Sequence, residues 1–202
     1  MPVSSSATRR DLFLLLACVA PVVAWSARAP HDRFTWWLEV FPVFLGFGAL
    51  FAVSGRFRFS RLALALAGIH MSILLVGGHY TYALVPLGEW AKSWFGWTRN
   101  HYDRIGHLAQ GFVPAVLCRE VVRKLRLIPR RGWAFFFVIC FVLALSALYE
   151  LIEWGTAVGT GEAAEAFLGT QGDPWDTQTD MALALSGGLA ALVLVPAPTD
   201  DE

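Results

Sequence analysis

Apolar runs separated by short polar segments give the chain its main pattern. Six runs approach the roughly 17–25 residues that a helix needs to cross a hydrocarbon core of about 30 Å. They cover approximately residues 12–27, 37–54, 62–85, 103–122, 133–154 and 179–195. The fourth run is the least apolar, because it contains His107, Gln110 and Pro114. The pattern predicts an all-α, polytopic membrane protein with about six transmembrane helices in one bundle.

Composition supports this class of protein. Of the 202 residues, 56% are hydrophobic and 16% are charged, against about 25% charged in an ordinary soluble domain. The mean hydropathy is +0.52. The spans leave no room for a separate soluble domain, so we expect a single membrane domain over residues 1–202. Cys18, Cys118 and Cys140 lie in or beside apolar runs without a CxxC pair, which indicates packing residues rather than disulfides.

The distribution of Lys and Arg predicts the orientation. With the N-terminus inside, the inner segments hold 11 of these residues and the outer segments hold 5. The outer segment from Gly155 to Gln178 has none. The positive-inside rule therefore predicts that both termini are cytoplasmic. Near the outer ends of the spans lies a set of tryptophans typical of an aromatic belt: Trp36, Trp37, Trp90, Trp94, Trp97, Trp154 and Trp175.

The N-terminal segment has a second interpretation. Residues 8–13, Thr-Arg-Arg-Asp-Leu-Phe, resemble a twin-arginine export signal, and residues 27–29 offer an A-x-A cleavage site. Pro30 would disfavour cleavage there. Basic residues before a first span are also what an N-inside topology requires, so we favour an uncleaved helix.

Histidine and carboxylate side chains gather at one end of several spans. On the predicted topology they share a similar depth near the outer face: His79, His101, Asp103, His107, Glu150, Glu153, Asp173, Asp176 and Asp180. Asp103 and His107 are spaced i, i+4, and Asp176 and Asp180 have the same spacing, so each pair shares a helix face. Ionisable groups in lipid are costly. We therefore expect a polar pocket between helices.

Imidazoles and carboxylates at such a site suggest two kinds of chemistry. They are ligands for a divalent cation, whose identity stays open, and they can act as general acid and base. The candidate catalytic residues are His107, Asp103, Glu150 and Asp180. The candidate metal ligands are His79, His101, His107, Asp103, Glu150, Glu153, Asp176 and Asp180. Arg99 or Arg104 could hold a substrate phosphate, because a guanidinium suits that geometry.

Several of these residues also have structural interpretations. Asp173 could be the N-cap of a helix with Pro174 at its first position. Glu153 could simply face water. Arg104 could snorkel to the interface or pair with Asp103.

Three motifs together resemble a known family: residues 101–107 (HYDRIGH), 149–154 (YELIEW) and 172–181 (GDPWDTQTDM). The resemblance is to the YjdF family of bacterial inner membrane proteins, and it covers about residues 79–188. It implies a multi-pass protein of the bacterial inner membrane and supplies no established reaction. More distantly, the chain is similar to VanZ-like membrane proteins, in which an Asn follows the last acid by about one turn. Ala184 stands at that position here.

Two function classes remain open at this stage. The first is an enzyme that uses a periplasmic pocket, with a metal or an acid/base pair, on a lipid or a lipid-linked envelope precursor. The second is a non-enzymatic proton- or cation-coupled transporter or a lipid-binding protein. The inner halves of the spans hold few ionisable residues apart from His70, which favours a one-sided site. Membrane lipids are the expected partners, and no motif indicates nucleic-acid binding.

Overall fold

A computed structural model describes residues 5–160 and 165–196, which form eight helices. They are α1 (Ser5–Ser26), α2 (Arg33–Val53), α3 (Arg61–Tyr80), α4 (Pro86–Phe95), α5 (Tyr102–Lys124), α6 (Arg131–Thr160), α7 (Glu165–Leu168) and α8 (Asp176–Leu194). The described residues contain no strand. Residues 1–4 and 197–202, at the termini predicted to be cytoplasmic, lie outside the described residues.

Each predicted span overlaps one long helix, and the all-helical membrane class is confirmed. Within the described residues, four helices are long and apolar enough to cross a membrane, namely α2, α3, α6 and α8. Helices α1 and α5, with 22 and 23 residues, are also long enough, but α1 has Arg9, Arg10 and Asp11 close together near its start and α5 carries six charged side chains. The total of six transmembrane helices therefore stays a prediction.

Contacts divide the chain into two compact units, residues 1–102 and residues 103–202. In the first unit, α3 packs against both α1 and α2. The hydroxyl of Ser26, at the end of α1, donates to the Leu75 carbonyl at 2.6 Å and accepts from the Trp36 indole at 2.9 Å. This buried link joins all three helices of the unit. A single membrane domain over the whole chain stays a prediction.

Helix α3 ends at Tyr80, five residues before the end of the predicted span at Val85. Thr81 and Tyr82 adopt the left-handed backbone conformation, with φ of 56° and 49°, and this stops the helix. The chain then forms α4, which the sequence pattern did not predict. The apolar side chains Leu87, Trp90 and Trp94 of α4 are exposed. Such a short helix is typical of a segment lying along a membrane interface.

A buried asparagine fixes the segment between α4 and α5. Asn100 is fully buried, and its amide nitrogen lies 3.0 Å from the carbonyls of Ala83 and Val85. Its side-chain oxygen accepts from the Tyr102 amide at 3.1 Å, at the start of α5. The side chain thus satisfies backbone groups on both sides of α4.

In the second unit, α5, α6 and α8 come together through small residues. A Cβ built on Gly111 of α5 would overlap the Ala184 backbone of α8, and one built on Gly187 of α8 would overlap the Leu108 carbonyl of α5. Helices α6 and α8 also pack together. Helix α6 has 30 residues and runs to Thr160, so it takes up part of the predicted outer segment 155–178.

Candidate functional site

Three helices of the second unit bring four of the predicted residues together. Asp103 and His107 lie on the first turns of α5, Glu150 lies on α6, and Asp180 lies on the second turn of α8. Only 5% of His107, 7% of Glu150 and 3% of Asp180 is exposed. The i, i+4 pair Asp103–His107 and the carboxylates of two other helices therefore share one buried cluster.

The two ring nitrogens of His107 face different carboxylates. His107 Nε2 lies 3.5 Å from Asp103 Oδ1 and 4.0 Å from Asp180 Oδ2. His107 Nδ1 lies 3.8 Å from Glu150 Oε1. The sequence alone predicts these four residues as members of one set of metal ligands. The geometry separates them into two carboxylates on the Nε2 side and one on the Nδ1 side.

Charge is not balanced within the cluster. Three carboxylates against at most one imidazolium leave a formal surplus of at least two negative charges. Among the described residues, Asp180 Oδ1, Glu150 Oε1 and His107 Nδ1 are buried without a hydrogen-bond partner. Buried charges and unpaired polar groups are costly. The cluster therefore requires either protons or a bound cation to neutralise it.

The donor set fits a divalent cation. One ligand atom each from Asp103, His107 and Asp180 lies within 4.8 Å of the others. These three residues form the metal-type group, the set of described side chains that could hold a metal ion together. An imidazole nitrogen with carboxylate oxygens is a combination that borderline and hard divalent cations accept. The unpartnered Oδ1 of Asp180 is an acceptor that such a cation would satisfy.

A covering segment, residues 167–175, passes over this end of the unit. The buried Phe167 ring stands edge-on to Tyr149, which in turn stands edge-on to His107, with centroids 6.3 Å apart in both pairs. Gly169 lies close to Asp103, since a Cβ there would be 4.0 Å from its Oδ2. Aromatic side chains and the covering segment shield the imidazole from water.

Arg104, on α5, contacts the covering segment. Its Nη2 donates to Asp173 Oδ2 at 2.9 Å, and both side chains are about one-quarter exposed. The other oxygen of Asp173 accepts from the Trp175 amide at 2.9 Å. The N-cap interpretation of Asp173 is wrong, because α8 begins at Asp176 after Trp175. Asp173 instead closes a turn on the amide two residues ahead.

The remaining predicted residues of the second unit lie beside the cluster. Asp176 is buried one turn before Asp180 on α8, and Glu153 is half-buried three residues after Glu150 on α6. Neither belongs to the metal-type group of Asp103, His107 and Asp180. Their roles as ligands stay predictions.

Three further predicted residues belong to the first unit. His79 Nδ1 donates to the Ser26 carbonyl at 2.9 Å, so this histidine helps join α1 and α3. His101 stands edge-on to Trp97, with centroids 4.8 Å apart. Arg99 is 7% exposed. The ligand roles of the two histidines and the phosphate role of Arg99 stay predictions.

Two neighbours of the cluster were not singled out from the sequence. Ser146 is fully buried one turn before Glu150 on α6, and its hydroxyl oxygen has no hydrogen-bond partner in the described part of the chain. Tyr149 provides the ring between His107 and Phe167. The i, i+4 spacing of Ser146 and Glu150 could have indicated the serine. The contact with Phe167 joins two distant segments and leaves no local signal.

Comparison with known proteins agrees with the membrane class. The family model described as "Predicted membrane protein (DUF2238)" matches residues 12–199. The chain is 43% identical over 174 residues to "Inner membrane protein YjdF" of Escherichia coli (strain K12), and the match covers 86% of this chain and 83% of that protein. No solved structure matches the chain. The resemblance to the YjdF family is thus confirmed, whereas the VanZ-like one gains no support. The chain belongs to the DUF2238 family and is a multi-pass inner membrane protein.

Proposed function

We propose that this protein is a divalent-cation-dependent enzyme that acts on a lipid headgroup or a lipid-linked precursor of the cell envelope. The observation that carries the proposal is the placement of Asp103, His107 and Asp180, whose ligand atoms lie within 4.8 Å of one another in a buried cluster. The surplus of negative charge supports a cation there. The membrane location supports a lipid substrate.

Each residue of the cluster has a distinct proposed role. Asp103, Asp180 and His107 Nε2 would hold the cation. Glu150, on the Nδ1 side, would position the imidazole by accepting a hydrogen bond from its Nδ1–H, as carboxylates do beside metal-bound histidines. A bound divalent cation supplies an activated water and polarises the substrate oxygen that it contacts. In a second role, Asp103, whose side chain is 15% exposed, would take the proton of the water as it attacks and return it to the leaving-group oxygen as the old bond breaks.

The covering segment supports a phosphate-containing substrate. Arg104 directly follows Asp103, and its guanidinium already holds the Asp173 carboxylate, an anion, at 2.9 Å. A substrate phosphate would replace that carboxylate, because both present paired oxygens to the guanidinium fork. Displacement of Asp173 would also loosen the covering segment at the moment of binding. Arg99 stays a second candidate for a phosphate contact.

Metal content of the purified protein tests the proposal. We expect close to one divalent ion per chain by elemental analysis of the detergent-solubilised protein. Asp180→Asn should lose this ion, and Glu150→Gln should weaken its affinity by about 10–100-fold, as outer-shell partners of metal ligands do. Glu89→Gln, the same chemical change on α4 of the first unit, is the matched control and should retain the metal. Glu153→Gln tests the predicted ligand role of Glu153.

Two results would contradict the enzyme. One is protein without metal whose thermal stability does not change in chelator. The other is proton or cation flux in proteoliposomes that stops in Asp180→Asn, because flux would assign the cluster to a transport pathway. Turnover of a lipid phosphate that depends on the metal and is lost in Arg104→Ala, with metal retained, would support the assigned substrate class.

A further inference from the structure

A groove of about 800 Å³ runs between α1 and α3 in the first unit. Its walls are apolar or small side chains, with Leu14 and Cys18 on α1 and Ala65 and Ile69 on α3. The volume lies within the range of about 300–1,000 Å³ that is usual for small-molecule sites. All of its lining residues belong to the first unit, whereas Asp103, His107 and Asp180 belong to the second.

The mouth of the groove is positively charged. Arg10 and Arg61 line it together with Asp11, a buried carboxylate. Asp11 also lies 3.6 Å from Arg58 and 3.7 Å from Arg61. The lining itself carries two guanidiniums against one carboxylate, a formal surplus of one positive charge, and Arg58 beside Asp11 adds another. Because α3 begins at Arg61, the positive end of its helix dipole adds to this field.

The other end of the groove is apolar and closed by an aromatic ring. Ile73, Val76 and Tyr102 line it there. The Tyr102 hydroxyl donates to the Ile73 carbonyl at 3.1 Å, so the ring is fixed in place. Arg61 and Val76 are fifteen residues apart on α3, which corresponds to about 22 Å along the helix. The groove is therefore elongated, with one charged end and one apolar end.

We propose that this groove binds one acidic phospholipid, with its phosphate at Arg10 and Arg61 and an acyl chain along α1 and α3. An acyl chain matches the elongated shape and the apolar walls, and an anionic headgroup matches the surplus positive charge. A zwitterionic lipid offers no net charge to the mouth, so the site should prefer acidic lipids. The loop charges predict that this end of both helices faces the cytoplasmic leaflet, where anionic lipids attract basic residues.

Cys18 provides a direct probe, because it lines the groove and is exposed. The full chain in detergent would be labelled with N-ethylmaleimide in the presence of dioleoylphosphatidylglycerol or dioleoylphosphatidylcholine. At a phosphatidylglycerol concentration ten times its Kd, labelling of Cys18 should slow by about tenfold, because about one-tenth of the sites stay empty. Cys140, exposed on α6, is the internal reference and should not change.

Variants separate headgroup recognition from general coating by lipid. R10A/R61A should lose protection by phosphatidylglycerol, whereas R56A/R130A, an equal change of charge outside the groove, should keep it. Ala65→Phe should fill the groove and abolish protection without altering Cys140 labelling, and an unchanged thermal unfolding midpoint would show that the variant is folded. Equal protection by both lipids, or protection that survives R10A/R61A, would overturn the proposal. So would disulfide capture of Cys18 by a second copy of the chain. These results test only the groove, because metal binding by Asp103, His107 and Asp180 is measured separately by elemental analysis.

Discussion

His107 lies between carboxylates on both edges of its ring, and this arrangement determines what the cluster can do. Asp103 and Asp180 lie on the Nε2 side, and Glu150 lies on the Nδ1 side. A neutral imidazole can therefore bind a cation through Nε2 and donate a hydrogen bond from Nδ1–H to a carboxylate. Part of this was predictable, because Asp103 and His107 share a helix face by spacing alone. Which nitrogen each partner faces depends on how three helices pack, and the sequence does not encode that locally.

A carboxylate outside the cluster, that of Asp32, caps the start of α2, and its effect on stability should depend on pH. Asp32 is the N-cap of α2 and accepts from the Thr35 amide at 2.6 Å. That backbone hydrogen bond lowers the pKa of Asp32 below its ordinary value of 3.8. A lowered folded pKa stabilises the fold fully above the ordinary value, and this contribution is lost as the pH falls through the folded pKa.

We therefore expect Asp32→Ala to lower stability at pH 7 by about 0.5–2 kcal/mol. Asp32→Asn retains a capping oxygen but does not titrate. The advantage of the wild-type protein over Asp32→Asn should shrink as the pH falls below 3.8. Thermal unfolding midpoints in detergent, measured between pH 7 and pH 3, test both statements. An advantage that does not change over this range would contradict the assigned cap.

At the scale of elements, long apolar runs were predictable and their ends were not. Hydropathy located a helix in each predicted span, because about twenty apolar residues have few alternatives in lipid. The hydropathy pattern did not predict helix α4, because ten residues are too few for a span. The pattern also did not predict the end of α3. Thr81 and Tyr82 adopt positive φ there although neither is a glycine, and no sequence pattern indicated this. Helix α6 continues past Trp154, the predicted end of its span, into the predicted outer segment 155–178.

Close packing of α5 on α8 depends on two glycines. Gly111 and Gly187 each face backbone atoms of the other helix, and backbone cannot move aside as a side-chain tip can. Gly111→Ala should therefore push the helices apart and lower stability by about 1–3 kcal/mol or more. Because Asp103, His107 and Asp180 lie on the same two helices, metal affinity should fall as well. Gly155→Ala on α6 is the matched control, since nothing lies within 4 Å of its added Cβ.

The test of this packing is a pair of measurements on the same variants. Thermal unfolding reports stability, and elemental analysis reports metal content. Gly155→Ala should match the wild-type protein in metal content and be no less stable, because alanine favours helix. A Gly111→Ala protein as stable as the wild type would show that the two helices do not approach as closely as described.

At the scale of the whole second unit, the helix directions explain why the cluster lies at one end. Asp103 and Asp180 are near the starts of α5 and α8, and Glu150 is nineteen residues after Arg131 on α6. At 1.5 Å per residue this is about 28 Å, nearly the thickness of a hydrocarbon core. If Arg131 marks one interface, the cluster lies close to the other. A site at this depth meets headgroups rather than the bilayer centre.

Which face of the membrane holds the cluster is predicted from loop charges alone, and a pair of glycines offers a direct test. Gly55, between α2 and α3, is predicted to be cytoplasmic, whereas Gly159, near the end of α6, is predicted to be periplasmic. Both have open space at Cβ, so Gly55→Cys and Gly159→Cys should fold equally well in a background without Cys18, Cys118 and Cys140. An impermeant maleimide added to intact cells with a permeabilised outer membrane should label Gly159→Cys and spare Gly55→Cys, and inverted vesicles should show the opposite. The reverse pattern would place the cluster at the cytoplasmic face, and a lipid-linked substrate would then have to be one that is presented inside the cell.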